Sequence, residues 1–342
     1  MLKERDPYFD SARAILIVLV VIGHLLAQVG SESTDIVVRW IYTFHMPAFI
    51  AVTGFLSRNY TGSPRQVGRL LTGVLVPYVI FQVLQAAGRV IVDDAHFDVH
   101  LTVPGWTLWF LLALFIWRLL TPILRAMWPP VVLVAATLVS LISPMDSDLD
   151  QELSLARVLG FLPFFVLGLV TTPERLARLR AWLRPWHGYL ALVILLGLTV
   201  TFWDRFPLSY LYLSSSYENI GLTRVTGLVM RLFVLVGGLL GTLAVLAITP
   251  TGKHWWTVLG RNSLTIYLLH PLVLLPWRYG DLADTMTSPM QAALLIAVSV
   301  LLSVLLGLPI TARLTRFLTN PPIERWLVRD DGGRDRSAPE KA

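Results

Sequence analysis

The stretch RAILIVLVVIGH, residues 13–24, places ten uncharged residues between a guanidinium and an imidazole. Extended to residues 12–30 it forms an apolar run near the length a helix needs to cross a bilayer core of about 30 Å at about 1.5 Å per residue. Comparable runs recur at 36–57, 70–92, 105–124, 129–144, 156–171, 187–203, 225–248, 262–279 and 289–312, ten in all. Composition agrees with this count of spans. Of 342 residues, 55% are hydrophobic and only 15% charged, too apolar for a soluble chain of this size. The expected fold is therefore all-α: a polytopic membrane bundle of about ten transmembrane helices.

The connecting segments fix an orientation. Segments 58–69 (Arg58, Arg65, Arg69), 172–186 (Arg175, Arg178, Arg180, Arg184) and 249–261 (Lys253, Arg261) are basic, as are both termini. The alternate segments are acidic: Asp93, Asp94 and Asp98, then Asp146, Asp148, Asp150 and Glu152, then Asp281 and Asp284. Basic loops stay in the cytoplasm, so this alternation puts both termini inside, in a plasma membrane. The expected organisation is a cytoplasmic segment 1–11, a membrane domain 12–318 and a disordered tail 319–342. Lys3 and Arg5 before an apolar run can open a signal peptide. No convincing small-residue cleavage site follows and many spans do, so the run is read as the first span.

Several chemistries are excluded. The net charge of +6 is spread between apolar runs and forms no nucleic-acid patch. Without cysteine there is no disulfide, thiolate metal site or acyl-cysteine. No span carries two histidines at helical spacing, so metal binding fits poorly. Walker loops, dinucleotide fingerprints, the HxxxxD pattern and GxSxG elbows are absent.

An ionisable group at membrane depth is a functional candidate because burying it is costly. Arg13 and His24 are separated by about 16 Å along a helix axis, which places Arg13 at the cytoplasmic face and His24 past the midplane. The second span returns with FHMP, residues 44–47, and brings His45 within about one turn of the same depth. Two imidazoles on adjacent antiparallel helices can share one pocket, and His270 lies in a third candidate span. Each of these histidines can equally be a helix–helix hydrogen bond, and Arg13 fits ordinary positive-inside placement. Asp10 and Ser11 suit a helix N-cap, and Asp10 can pair with Arg13. Pro47 and Gly54 can loosen the second span beside His45, where a break would line a cavity. Pro163 can break the sixth span. Trp109, with Phe110, sits near the outer end of the fourth span, as an interfacial belt residue or a wall against a sugar ring. His96, His100, His187 and His254 fall in loops or at span ends and read as solvated.

Taken in order, RDPYFDSARAILIVLVVIGH (5–24), FHMPAFIAVTGFL (44–56), LWFLLALF (108–115), FLPFFVLGL (161–169) and LGRNSLTIYLLHP (259–271) resemble the acyltransferase-3 family of membrane acyltransferases. The resemblance spans about residues 5–318 and is to the branch related to fucose 4-O-acetylases. It implies transfer of an acyl group, usually acetyl, from cytoplasmic acyl-CoA to a hydroxyl of an extracytoplasmic glycan, glycolipid or related acceptor. Arg13 and His24 match the family's basic residue and histidine with ten residues between. The family's RxxR motif departs here to Arg65 and Arg69, with three residues between.

On that reading Arg13, Arg65, Arg69 and Arg261 hold the CoA phosphates by charge-assisted bonds. The pantetheine arm, of similar length to the Arg13–His24 separation, carries the thioester to His24. There His24 acts as general base or as acyl-carrying nucleophile. His45 orients His24 or binds substrate. Trp109, Asn262, Ser263 and His270 line the site, and Tyr217 and Glu218 in the outer loop 204–224 recognise the acceptor. The competing class is a proton-coupled transporter or flippase using the same histidines, although no inverted repeat of broken helices supports it.

Overall fold

The computed structural model describes residues 6–146 and 152–322. Within them every regular element is helical and no strand occurs. Lys3, Arg5, Asp148, Asp150 and the tail beyond residue 322 lie outside the described residues.

The first helix, α1 (Pro7–Leu26), starts earlier than the hydropathy suggests. Asp6 caps it by accepting the Tyr8 N–H at 3.0 Å, and Pro7 takes the first helical position, where a missing N–H costs nothing. Asp10 and Ser11 are therefore not the cap. They lie inside the helix, and Asp10 pairs there with Arg13. Helix α2 (Glu32–Ser57) is capped by Ser31 and runs through Pro47 without a break, correcting the expected loosening beside His45. Gly54 instead marks the crossing with a later helix.

Helix α3 (Pro64–Val92) begins six residues before the expected span and contains a π-helical stretch at Leu71–Leu75. Arg65 and Arg69 thus sit in its first turns rather than in a loop. Helices α4 (Trp109–Ala126) and α5 (Pro129–Ile142) follow. The expected break near Pro163 is real, but the hinge is Phe161. Helix α6 (Leu155–Gly160) ends there, α7 (Leu162–Val170) begins with Pro163 in its first turn, and the pair bends by 57°. After α8 (Pro173–Trp182) and α9 (Pro185–Phe202), the segment 204–224 folds a short helix, α10 (Leu208–Tyr212). Then come α11 (Arg224–Ile248), α12 (Thr257–Arg261), α13 (Ser263–Val273), α14 (Leu275–Tyr279) and α15 (Pro289–Gly307), with two short helices at 309–314 and 316–319.

Seven of the described helices are long and apolar enough to cross a membrane, or eight if the bent pair counts as one span. Pro129–Met145 and Ser263–Val273 are apolar but shorter. The expected ninth span is divided between α13 and α14.

Burial sorts the helices into a centre and a rim. Helix α1 is apolar all round and buried on nearly every side, as a helix inside a bundle must be. Helix α2 packs chiefly on α7 and α11, and α1 chiefly on α12, α2 and α15. Helices α9 and α15 instead leave large apolar side chains uncovered: Val193 is 63% exposed and Leu301 57%. In water such faces would be aggregation-prone, whereas in a bilayer they meet lipid tails. The histidines His24 of α1 and His45 of α2 lie among these central helices.

Candidate active site

A cavity of about 200 Å³ opens among the ends of α1, α4 and α10 and the middle of α2. His24, Tyr42 and His45 line it from α1 and α2, Trp106 and Trp109 from the start of α4, and Tyr212 from α10. Arg157 of α6 and Arg278 of α14 close it. The two imidazoles expected at one depth do meet at one cavity.

The hydrogen-bond pattern assigns different jobs to the three central histidines. His24 Nδ1 lies 3.0 Å from His270 Nε2, with the ring planes within 7° of parallel. His270 Nδ1 lies 2.9 Å from the Ile266 carbonyl. A carbonyl only accepts, so His270 carries its proton on Nδ1 and presents a lone pair at Nε2. His24 must then donate from Nδ1, which leaves the His24 Nε2 lone pair as its reactive atom. His270 is fully buried behind His24 and outside the cavity wall. It occupies the position of an orienting group, the third member of a nucleophile–base–orienter arrangement. His45 does not bond His24. Its Nδ1 donates to the Ile41 carbonyl at 2.9 Å, and its ring packs edge-on against Tyr42 at 4.7 Å. The expectation that His45 orients His24 is thus replaced by His270, and His45 keeps a wall position.

The surrounding side chains are locked. The Tyr267 hydroxyl donates to the Thr107 carbonyl, between Trp106 and Trp109 in sequence. Trp277 Nε1 donates to the Leu25 carbonyl at 2.9 Å, tying α14 to the turn that carries His24. Trp106 lies 5.2 Å from the His24 ring and carries the Arg278 guanidinium on its face at 4.6 Å. Trp109 carries Arg157 at 5.2 Å and stacks on Phe161. Trp109 is therefore a cavity wall fixed by a cation, rather than a free interfacial ring.

The other predicted residues divide into two groups. Arg13, Arg65, Arg69 and Arg261 gather at the opposite end of the bundle. Phe9 stacks on Phe55 at 4.8 Å, joining the start of α1 to the end of α2. Gly260 packs against the Asp10 backbone and sets Arg261 beside the same turn. Arg13 pairs with Asp10 and donates to the Phe9 carbonyl, while Arg65 and Arg69 are exposed one turn apart on α3. Four more arginines join this rim: Arg58, Arg175, Arg178 and Arg180, the last lying 3.9 Å over the Tyr8 ring.

Besides His270, the predicted lining residues Asn262 and Ser263 and the predicted acceptor-recognising Tyr217 and Glu218 are not brought to the cavity. Asn262 Nδ2 donates to the Gly307 carbonyl at 2.8 Å, and Ser263 is buried at the start of α13. Glu218 is exposed on the 204–224 segment. Tyr217 is buried, donates to the Leu141 carbonyl at 2.7 Å and contacts Arg231. These contacts anchor the loop rather than present Tyr217 to an acceptor. Tyr217→Phe is accordingly expected to cost about 1 kcal/mol of stability. Thermal melting in detergent reads that loss, and acceptor kinetics should not move.

The sequence reading missed Arg118, Arg157, Arg231 and Arg278. Each lies in or beside an apolar run, and the rule that singled out His24 would have found them. Arg118 Nε donates to Ser57 Oγ at 3.3 Å, on the rim side of α4. Among the described residues no group of three or more His, Asp or Glu side chains is placed to hold a metal.

The acyltransferase-3 family model, an acyltransferase domain, matches residues 6–308. The chain belongs to the acyltransferase-3 family. It is a membrane acyltransferase, and the family implies an acyl donor and an acceptor. Two curated relatives are named nodulation protein NolL. The one from Sinorhizobium fredii is 31% identical over 191 residues, covering 49% of this chain and 49% of its own length. The one from Mesorhizobium japonicum is 27% identical over 305 residues, covering 79% of this chain and 77% of its own. The match thus spans about half of the first relative and more of the second. No solved structure matches the chain.

Proposed function

We propose that the protein is an O-acetyltransferase that takes acetyl from acetyl-CoA at the arginine-rich rim and delivers it to a sugar hydroxyl in the histidine cavity. The acceptor is an extracytoplasmic glycan, glycolipid or related molecule. In this reading the domain is 12–318 and sits in the plasma membrane with ten spans. The bent pair counts as one, and Pro129–Met145 and Ser263–Val273 count as short ones. Both termini are cytoplasmic, as the loop charges favour.

The observation that carries the proposal is the free Nε2 lone pair of His24, set by His270 and facing the cavity. His24 Nε2 takes the acceptor proton as the hydroxyl oxygen attacks the thioester carbonyl. The tetrahedral intermediate collapses, the C–S bond breaks, and the departing CoA thiolate recovers the proton from the imidazolium. The same lone pair suits an acyl-imidazole route, in which His24 carries acetyl between donor and acceptor. His270 supports either route by accepting from the Nδ1–H as positive charge grows on His24. The rim arginines suit the CoA phosphates, and the rise along α1 of about 16 Å suits an extended pantetheine arm.

Purified protein in lipid nanodiscs, supplied with acetyl-CoA and candidate glycans, tests the reading through free thiol release and acetyl mass gain. Acceptor-dependent CoA release supports it. Binding no CoA and moving a solute with protons would sink it. The two ends should separate kinetically: Arg13→Gln is expected to raise the acetyl-CoA KM about tenfold, one charge-assisted contact, while kcat stays within about twofold.

A further inference from the structure

The histidine cavity contains two cations that the acyl-transfer reading does not use. Arg157 and Arg278 both line it, and no aspartate or glutamate does. Among the described residues neither guanidinium forms an ion pair, and each rests on a tryptophan face, Arg157 on Trp109 and Arg278 on Trp106. Arg278 Nε is buried with no hydrogen-bond acceptor. Nearby Arg39 also has a buried nitrogen without a hydrogen-bond partner, but it differs in having a counter-charge, Asp35 at 3.1 Å.

A half-buried guanidinium without a counter-charge is costly, and two in one small cavity repel each other. Basic residues are also disfavoured at this end of the bundle, opposite the arginine-rich rim. The CoA phosphates do not explain the pair, because the rim that suits them lies about 16 Å away along α1. The other polar wall groups, the Tyr42 and Tyr212 hydroxyls and the Gln28 amide, can donate as well as accept, and none of them carries negative charge. A cavity with two guanidinium groups, no carboxylate and a base at His24 suits a ligand that brings both negative oxygen and a hydroxyl.

We propose that Arg157 and Arg278 select an acceptor bearing an anionic oxygen group, a carboxylate or a phosphate, beside the hydroxyl that is acylated. The inference rests on the acyltransferase reading and names its acceptor class: an acidic sugar, with the charge on the sugar itself or on the phosphate that links it to a lipid. A cavity of about 200 Å³ suits one such sugar unit rather than an oligosaccharide.

Three probes test it on the full chain in nanodiscs with acetyl-CoA: methyl glucoside, methyl glucuronide and glucose linked through phosphate to an octyl chain. At least one charged probe is expected to exceed methyl glucoside about tenfold or more in kcat/KM, and which one it is distinguishes sugar charge from lipid-linkage charge. In Arg157→Gln and Arg278→Gln the charged-to-neutral ratio should fall towards one. A binding arm works without turnover. Methyl glucuronide or the octyl phosphate should raise the melting temperature more than methyl glucoside does, and the variants should lose that difference. The inference is overturned if the neutral probe is used and bound as well as both charged ones. It is overturned too if the substitutions slow all probes by one factor, which would make the arginines stabilisers of the tetrahedral oxyanion. Absence of acyl transfer with every probe would instead count against the acyltransfer chemistry, while the binding arm still decides the acceptor charge.

Discussion

His24→Ala is expected to lower kcat for acetyl transfer by about 10²- to 10⁴-fold, the span a positioned general base contributes. The KM for acetyl-CoA should move far less, because the imidazole lies at the opposite end of α1 from the rim arginines. Steady-state CoA release at saturating acetyl-CoA, with acceptor varied, separates the two. Near-normal turnover in His24→Ala would remove the base from the mechanism. His270 supplies the sharper comparison. It touches no cavity surface, so its effect must pass through His24 Nδ1, 3.0 Å away. Without it the buried Nδ1–H loses its acceptor, and His24 is free to place its proton on Nε2, the tautomer that cannot take a proton from the acceptor. His270→Ala should therefore reduce kcat strongly, but less than His24→Ala, with little change in either KM. The double variant should be no worse than His24→Ala alone, since residues acting as one unit are not additive. His45→Ala, which removes a wall side chain that hydrogen-bonds the Ile41 carbonyl and not His24, should act on acceptor KM instead.

The ladder of spans was readable because a bilayer demands long apolar runs, and length is a one-dimensional signal. All ten expected runs fall on helices, although only seven or eight meet the length and hydropathy of a full span. The misses are local. Asp10 looked like a cap because it precedes the apolar run, yet Asp6 followed by Pro7 gives the better start, and the helix gains more than a turn. The shared depth of His24 and His45 was legible from residue counts on two antiparallel helices. Which histidine bonds His24 was not, because α13 joins α1 across 246 residues of sequence and ring tautomers depend on carbonyls at specific positions. Tyr217 and Glu218 were chosen because an outer loop can meet an acceptor, but loop position says nothing about which side chains turn inward. Arg157 and Arg278 lie near the ends of expected spans, where the rule applied to His24 would have flagged them, but their places on Trp109 and Trp106 come only from the packed structure.

Gly168→Ala is expected to be strongly destabilising. Helices α2 and α7 cross so closely that their backbones touch through two glycines. A Cβ on Gly168 would run into the Ala51 carbonyl oxygen and lie 2.7 Å from the Phe55 backbone nitrogen. A Cβ on Gly54 would run into the Phe165 carbonyl oxygen from the other side. Small residues let membrane helices approach because packing, not the hydrophobic effect, holds them together in lipid. Neither collision can be relieved by a rotamer change, since the obstacles are backbone atoms. The helices must separate instead, and the expected cost is about 3 kcal/mol or more, the upper end for overpacking. Gly197→Ala on α9 is the control, because nothing lies within 4 Å of its would-be Cβ. Melting in detergent should show a large fall for Gly168→Ala and Gly54→Ala and none for Gly197→Ala. Activity should follow, because the crossing also sets the cavity. His45 sits on α2 above Gly54, and Phe161 and Arg157 lie at the bend that leads into α7. Separating these helices moves one wall away from His24, so turnover at a temperature where the variant is still folded should drop. If Gly168→Ala melted like the parent protein, the close α2–α7 crossing would be wrong, and with it the placement of Arg157 across from His24.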